Sequence, residues 1–359
     1  MHQQLARLLR LEGAPTTIAL VAVTALLGWL NPNFLGAGNV ASIVIQSMFI
    51  LIIAVGMTFV LTAGAIDLSV GSVLGLSGGV TMLALSFGQP TAVAILAGLA
   101  VGALCGLING LLVTVLKLSD FIVTLATMGA AAGLLQIMAY YRPLRGGETE
   151  AFTWLAYGTL FGIPFPIVFG VLLVIVLTFL LQVTTFGRQV RAAGMSPEAA
   201  RFAGIDVDRV KLIVFMLSGL LASVSGVLLA SRLASVQPAL GRGYELQAIA
   251  AAVLGGTSLA GGRGSVAGAA IAALLLASIS AGLQIVGVDP TWYQVIVGTA
   301  ILLAVAFHKW SDRFQERNIF QPLAGNGANG KTRTEERTGP AGHGGSQLPR
   351  IRQAAIGTD

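Results

Sequence analysis

Residues 40–63 read VASIVIQSMFILIIAVGMTFVLTA, twenty-four consecutive positions without a charged side chain. A helix needs about 20 apolar residues to cross the hydrocarbon core of a bilayer. This stretch has that length, and nine others resemble it: 16–31, 70–87, 91–116, 120–141, 164–183, 211–234, 245–260, 265–287 and 291–308. The eighth in chain order, 245–260, is short and glycine-rich, so a tilted or re-entrant course is open to it. The expectation is an all-α polytopic transmembrane bundle of about ten spans, occupying residues 16–310.

Composition agrees. Of 359 residues, 55% are hydrophobic and 10% are charged, with a mean hydropathy of +0.84. Ordinary soluble domains carry about 25% charged residues. The single cysteine, Cys105, lies in an apolar run, which excludes a disulfide framework and reads as a small buried hydrophobe. Arg7 and Arg10 followed by the apolar run 17–30 have the shape of a signal peptide. The run ends Leu27-Gly28-Trp29-Leu30-Asn31-Pro32 without a small-x-small cleavage pattern, so it is read as a retained first span.

Lysine and arginine collect on the cytoplasmic side of membrane proteins. With the N-terminus inside, the inner segments hold 17 of the 21 basic residues, eight of them in the stretch from Lys309 to Arg352. Arg142, Arg145, Arg232 and Arg242 remain outside. Without that distal stretch the split is still 9 to 4, so both termini (1–15 and 311–359) are expected in the cytoplasm. The net charge of +6 is accounted for by membrane edges and the tail, and implies a lipid partner rather than nucleic acid.

Residues 311–359 are polar and glycine-rich without apolar periodicity, the composition of a disordered tail. Within them, Gly325 to Thr332 satisfies the phosphate-loop pattern GxxxxGK[ST]. That loop works only between a buried strand and a helix, and neither is expected here. The match is read as coincidental. The three histidines, His2, His308 and His343, lie near the chain ends, so no metal or catalytic cluster is expected, and no enzyme activity. Few ionisable residues fall mid-span, which removes the parts of a proton relay.

Four segments carry functional information. The longest polar insertion between spans is 184–211, TTFGRQVRAAGMSPEAARFAGIDVDRVK, with five basic and three acidic residues. Ser196 as N-cap, Pro197 at the first helical position and Glu198 in the first turn start a short helix over about 197–203 that Gly204 ends. With Ala199, Ala200 and Phe202 on it, this helix suits a groove on another protein; a solvated connection is the other reading. Second, Asp67 lies between spans two and three, followed by Ser69 and Ser72. A carboxylate near hydrocarbon costs about 3 kcal/mol and needs a partner, water or a helix N-terminus. It is either a membrane-edge cap or part of the translocation path. Third, Glu245 follows Gly241-Arg242-Gly243-Tyr244 outside, between spans seven and eight. It is either a gate residue or binding-protein contact, or a carboxylate paired with a helix dipole. It occupies the position of Asp67 if spans 2–5 and 7–10 are inverted repeats. Fourth, Gly98, Gly102, Gly106 and Gly110 put a small-residue face on span four, for helix packing within the subunit or for a dimer or pore wall, with Asn109 beside it.

Several stretches, in order, resemble the ribose/xylose/arabinose-type carbohydrate permeases of ABC importers. They are Gly56-Met57-Thr58; Ile66-Asp67-Leu68-Ser69-Val70-Gly71-Ser72; Phe121 to Met128; Gly162-Ile163-Pro164; Arg191 to Ile205; Gly243-Tyr244-Glu245; Val253 to Ser258; and Gly261 to Ser265. The likeness runs from about 30 to 308. It implies that Arg191, Gly194, Ser196, Pro197, Glu198, Ala199, Ala200 and Gly204 form a coupling loop held by a separate ATPase subunit. It further implies a second permease copy or paralogue, an extracytoplasmic sugar-binding protein, and residence in the bacterial cytoplasmic membrane. No cofactor is expected on this chain, ATP and magnesium being held by the ATPase. Asp67, Ser69, Asn109 and Glu245 are the candidates for the translocation path or gate. The rival functions are a branched-chain amino-acid importer permease and a self-sufficient secondary transporter.

Overall fold

The computed structural model describes residues 13–146, 149–289 and 291–303. The phosphate-loop match, the tail and most of the N-terminal segment lie outside them.

The apolar runs become helices, and the glycines inside them, four in Thr91–Thr114 alone, do not break them. In chain order these are α1 (Ala14–Leu30), α2 (Ala37–Thr62), α3 (Val70–Ser86), α4 (Thr91–Thr114), α5 (Asp120–Ala139), α6 (Glu150–Tyr157) and α7 (Phe165–Gln182). There follow α8 (Thr185–Met195), α9 (Pro197–Phe202), α10 (Val207–Leu233), α11 (Tyr244–Leu254), α12 (Val266–Val286) and α13 (Trp292–Leu303). A two-stranded hairpin, β1 (Thr159–Leu160) and β2 (Ile163–Pro164), joins α6 to α7.

Six of these helices are long and apolar enough to cross a membrane: α2, α4, α5, α7, α10 and α12. Four shorter apolar helices, α1, α3, α11 and α13, fall on the other expected spans. Helix length thus supports six of the roughly ten expected spans. The eighth expected span, 245–260, is only the 11-residue α11, about 16 Å long, because Gly255 and Gly256 end it.

Helices α2 and α10 form the centre. Every residue at positions 47–62 is buried. The apolar windows of α2 and α10 are 83% and 67% buried, against 22% for each of α4, α5 and α7, whose outer faces form the perimeter. The glycine face of α4 packs inside the chain. A methyl group on Gly102 would overlap the Gly219 carbonyl and Ser223 of α10, and one on Gly106 would overlap the Phe215 carbonyl. Gly98 and Gly110 meet Val227 and Leu212 of the same helix. That face is therefore taken up by packing within the subunit.

Two short helices begin inside the bundle. After α2, residues 63–69 turn back and α3 starts beside α10; after α10, residues 234–243 turn back and α11 starts beside α3. The two starts touch: a methyl on Gly71 or on Gly241 would overlap the other's carbonyl oxygen, and Gly241 has φ +91°. Only glycine fits such an approach at such an angle. The order long helix, loop, short helix occurs twice, as an inverted repeat requires.

Candidate functional site

The 184–211 insertion is more ordered than expected. Thr184 accepts a hydrogen bond from the Gly187 amide and starts α8, an eleven-residue helix that was expected to be loop. Ser196 ends α8 and caps α9 by accepting from the Ala199 amide, with Pro197 at the first position. Asp206 caps α10 in the same way. Gly204, at φ +82°, closes α9. These local rules produce a helical hairpin at the end of the bundle where α10 begins.

The expected coupling residues divide into two sets. Arg191 and Gly194 hold the hairpin to the bundle. Arg191 Nη1 donates to the Leu181 carbonyl at 2.5 Å. Gly194 sits against the Thr62 carbonyl, with Gly64, Gly261 and Gly262 around it, and the Gly262 amide donates to that same carbonyl at 2.9 Å. Ala200 is buried, whereas Pro197, Glu198, Ala199 and Gly204 are exposed and Ser196 is half-buried. Phe202 projects at 94% exposure and Met195 at 73%. Asp208 braces this surface, accepting from Lys117 Nζ at 2.6 Å and from Arg201 at 3.2 Å. Lys117 thus lies at the same end of the bundle as the 188–211 charges.

Asp67 is 1% exposed, in the interior of the bundle. Its Oδ1 accepts from the Ser69 amide (3.0 Å) and hydroxyl (2.6 Å), and its Oδ2 from Ser218 of α10 (2.8 Å). Asn109 of α4 donates to the Ser69 oxygen at 3.0 Å and accepts from Thr127 of α5 at 2.6 Å. Three of the expected path residues, Asp67, Ser69 and Asn109, therefore meet in one network that ties the start of α3 to α4, α5 and α10. Sequence reading missed Ser218 and Thr127, because a hydroxyl in an apolar helix gives no sign of the face it occupies. It also missed the Asp120 carboxylate, which accepts from the Ile66 amide at 2.7 Å and fixes the same loop.

Glu245 is elsewhere, in the first turn of α11. Its Oε1 accepts from the Gly243 amide at 3.1 Å, and its Oε2 lies over Gly71 in the first turn of α3 without a hydrogen-bond partner. Two helix N-termini thus converge on one carboxylate, an arrangement that favours negative charge. Among the described residues no group of histidine, cysteine and carboxylate side chains could hold a metal ion.

This arrangement has known relatives. The family described as "Branched-chain amino acid transport system / permease component" matches residues 39–306. The ribose import permease protein RbsC of Escherichia coli (strain K12) is 40% identical over 291 residues, 80% of this chain and 91% of that protein. RbsC of Bacillus subtilis (strain 168) is 42% identical over 289 residues, 80% and 90% of the two chains. The L-arabinose transport system permease protein AraH of Escherichia coli (strain K12) is 38% identical over 282 residues, 79% and 86%. The chain belongs to the ABC-importer permease family that holds these ribose and arabinose permeases.

Proposed function

We propose that this chain is the membrane-spanning subunit of an ATP-driven importer that carries a monosaccharide or related polyol. The observation that carries this reading is the near-40% identity, over four-fifths of the chain, to permeases named for ribose and for arabinose. The branched-chain amino-acid alternative has only the family's description on its side.

In this reading the described bundle crosses the cytoplasmic membrane with both termini inside. Ten apolar helices contribute, with α3 and α11 starting inside the bundle and α11, of 11 residues, crossing only part of the core. Exposed aromatic residues support the placement: Trp29, Phe87, Tyr140, Tyr141 and Phe161 lie at helix ends or loops assigned to the outer side. Aromatic side chains of this kind collect at membrane interfaces. Arg232 stacks 4.7 Å over Tyr157 at the same end.

The hairpin α8–α9 is the docking element for an ATPase subunit. Phe202, Met195, Pro197 and Ala199 supply an apolar tip ringed by Glu198 and Arg201, the composition of an interface anchor with a polar rim. Motion at that tip has a direct route inward, since Gly194 touches the loops 63–69 and 255–264 beside both half-helices. Two permease chains, as copies or paralogues, enclose the path, and an extracytoplasmic binding protein delivers the sugar. ATP and magnesium belong to the ATPase; this chain binds none and catalyses nothing.

Proteoliposomes holding this chain with its ATPase and binding protein should accumulate labelled ribose, arabinose or another monosaccharide only when ATP is supplied. Accumulation by this chain alone under an ion gradient overturns the reading. Phe202→Ala should weaken ATPase-subunit binding by about 30-fold, the loss of one anchor, with the chain's melting temperature unchanged.

A further inference from the structure

With the outer end of α3 at the membrane surface, as the importer reading has it, Arg242 and Glu245 fall at a depth where lipid would not tolerate them, not in the outer loop where the sequence put them. Gly241 touches Gly71, and α3 runs on from there to Ser86, about 22 Å further toward its outer end. The hydrocarbon core of a bilayer is about 30 Å thick. Arg242 is nonetheless exposed on the surface of the chain, and so is Gln294 of α13. Polar and charged groups within a bilayer face a bundle interior or a water-filled cavity. This face therefore looks onto water or protein.

Two cavities open on it, and both are lined by Arg242 and Glu245. One, of about 250 Å³, lies between α3, α5 and the 234–243 loop, with Ser72 and Gln136 on its wall. The other, of about 340 Å³, lies between that loop, α11 and α13, with Gln247, Tyr293 and Gln294. Two polar atoms here are shielded from solvent without a hydrogen-bond partner, Tyr293 Oη and Glu245 Oε2. Unsatisfied buried polar atoms are uncommon and call for an explanation. Neutral amides that both donate and accept are the commonest polar groups on the two walls. A hydroxyl also donates and accepts, so a polyhydroxylated ring can exchange its water hydrogen bonds for these in any of several orientations. A fixed ammonium or carboxylate has no such freedom.

We propose that Gln136, Arg242, Glu245, Tyr293 and Gln294 form the sugar-contacting wall of the translocation path. The inference rests on the importer reading above and names the surface that reading requires.

The test uses the assembled transporter, with labelled ribose, arabinose and leucine as probes. The double variant Gln136→Ala/Gln294→Ala should lower sugar uptake about tenfold, from the loss of two hydrogen-bonding side chains. ATP hydrolysis stimulated by the loaded binding protein should persist, which shows that the complex still assembles. A second readout guards against misfolding. In a Cys105→Ser background, Gln136→Cys and Gln294→Cys should react with a membrane-impermeant thiosulfonate, while Ile137→Cys, exposed on another face of α5, should not. Sugar uptake by the double variant at the parent's rate, or unreactive cysteines at 136 and 294, overturns the wall while leaving the importer reading intact. A parent complex that moves leucine but neither sugar overturns the importer reading, and the ligand class of this wall with it.

Discussion

Asp67 and Glu245 occupy matching places in the two halves of the chain, yet their surroundings are opposite. Each follows a long central helix, α2 or α10, and a loop that turns back into the bundle, and each stands at or near the start of a short helix. Asp67 is sealed in, and both its oxygens accept hydrogen bonds, from Ser69 and Ser218. Glu245 has one oxygen bonded to its own turn and one unpartnered, beside two cavities. The same order of long helix, loop and short helix thus surrounds two carboxylates with different partners. Asp67 ties four helices together through fully partnered oxygens, whereas Glu245 keeps one buried oxygen unpartnered between the starts of two helices.

Substitutions break or sharpen this contrast in a definite order. Asp67→Ala has the largest expected effect on stability. It strands the donors of Ser69 and Ser218 in a dry interior, at a cost of about 3 kcal/mol, read as a lowered melting temperature in detergent. Gly241→Ala comes next, at about 2 kcal/mol. Its methyl would overlap the Gly71 carbonyl at a left-handed backbone angle, so the two half-helices must separate. Ser218→Ala removes a single donor and should cost about 1 kcal/mol. Glu245→Gln should change stability least, by about 0.5 kcal/mol, since Oε1 can still accept from Gly243 and only the favourable helix-terminus charge is lost. Its uptake should nonetheless fall by more than that of Ser218→Ala. If the melting temperatures of Asp67→Ala and Glu245→Gln fall equally, the division of roles is wrong.

Much of this was legible beforehand. The cap of α9 is a local matter: Ser196, Pro197, Glu198 and Gly204 set it through side-chain and backbone preferences within one turn, and the helix forms over residues 197–202 where 197–203 was expected. The glycine spacing on α4 announced a close helix contact, and the structure supplies its partner, α10. The helix α8 was hidden because Arg188, Arg191 and its neighbours look like loop; its formation depends on the cap at Thr184 and on packing of Val190 and Ala193 against the bundle.

By itself the sequence determined the membrane as solvent, the all-helical class, the end of the bundle at which the 184–211 hairpin stands, and the family, because hydropathy, charge and caps act over one turn or one span. Only the tertiary structure decided that α3 and α11 begin inside the bundle, that Ser218 and Thr127 complete the Asp67 network, and that Arg242 lines one cavity with Gln136 and another with Gln294. Those facts depend on which residues distant in the chain come together. Apolar periodicity carries little of that information in a protein whose helices are hydrophobic nearly all round.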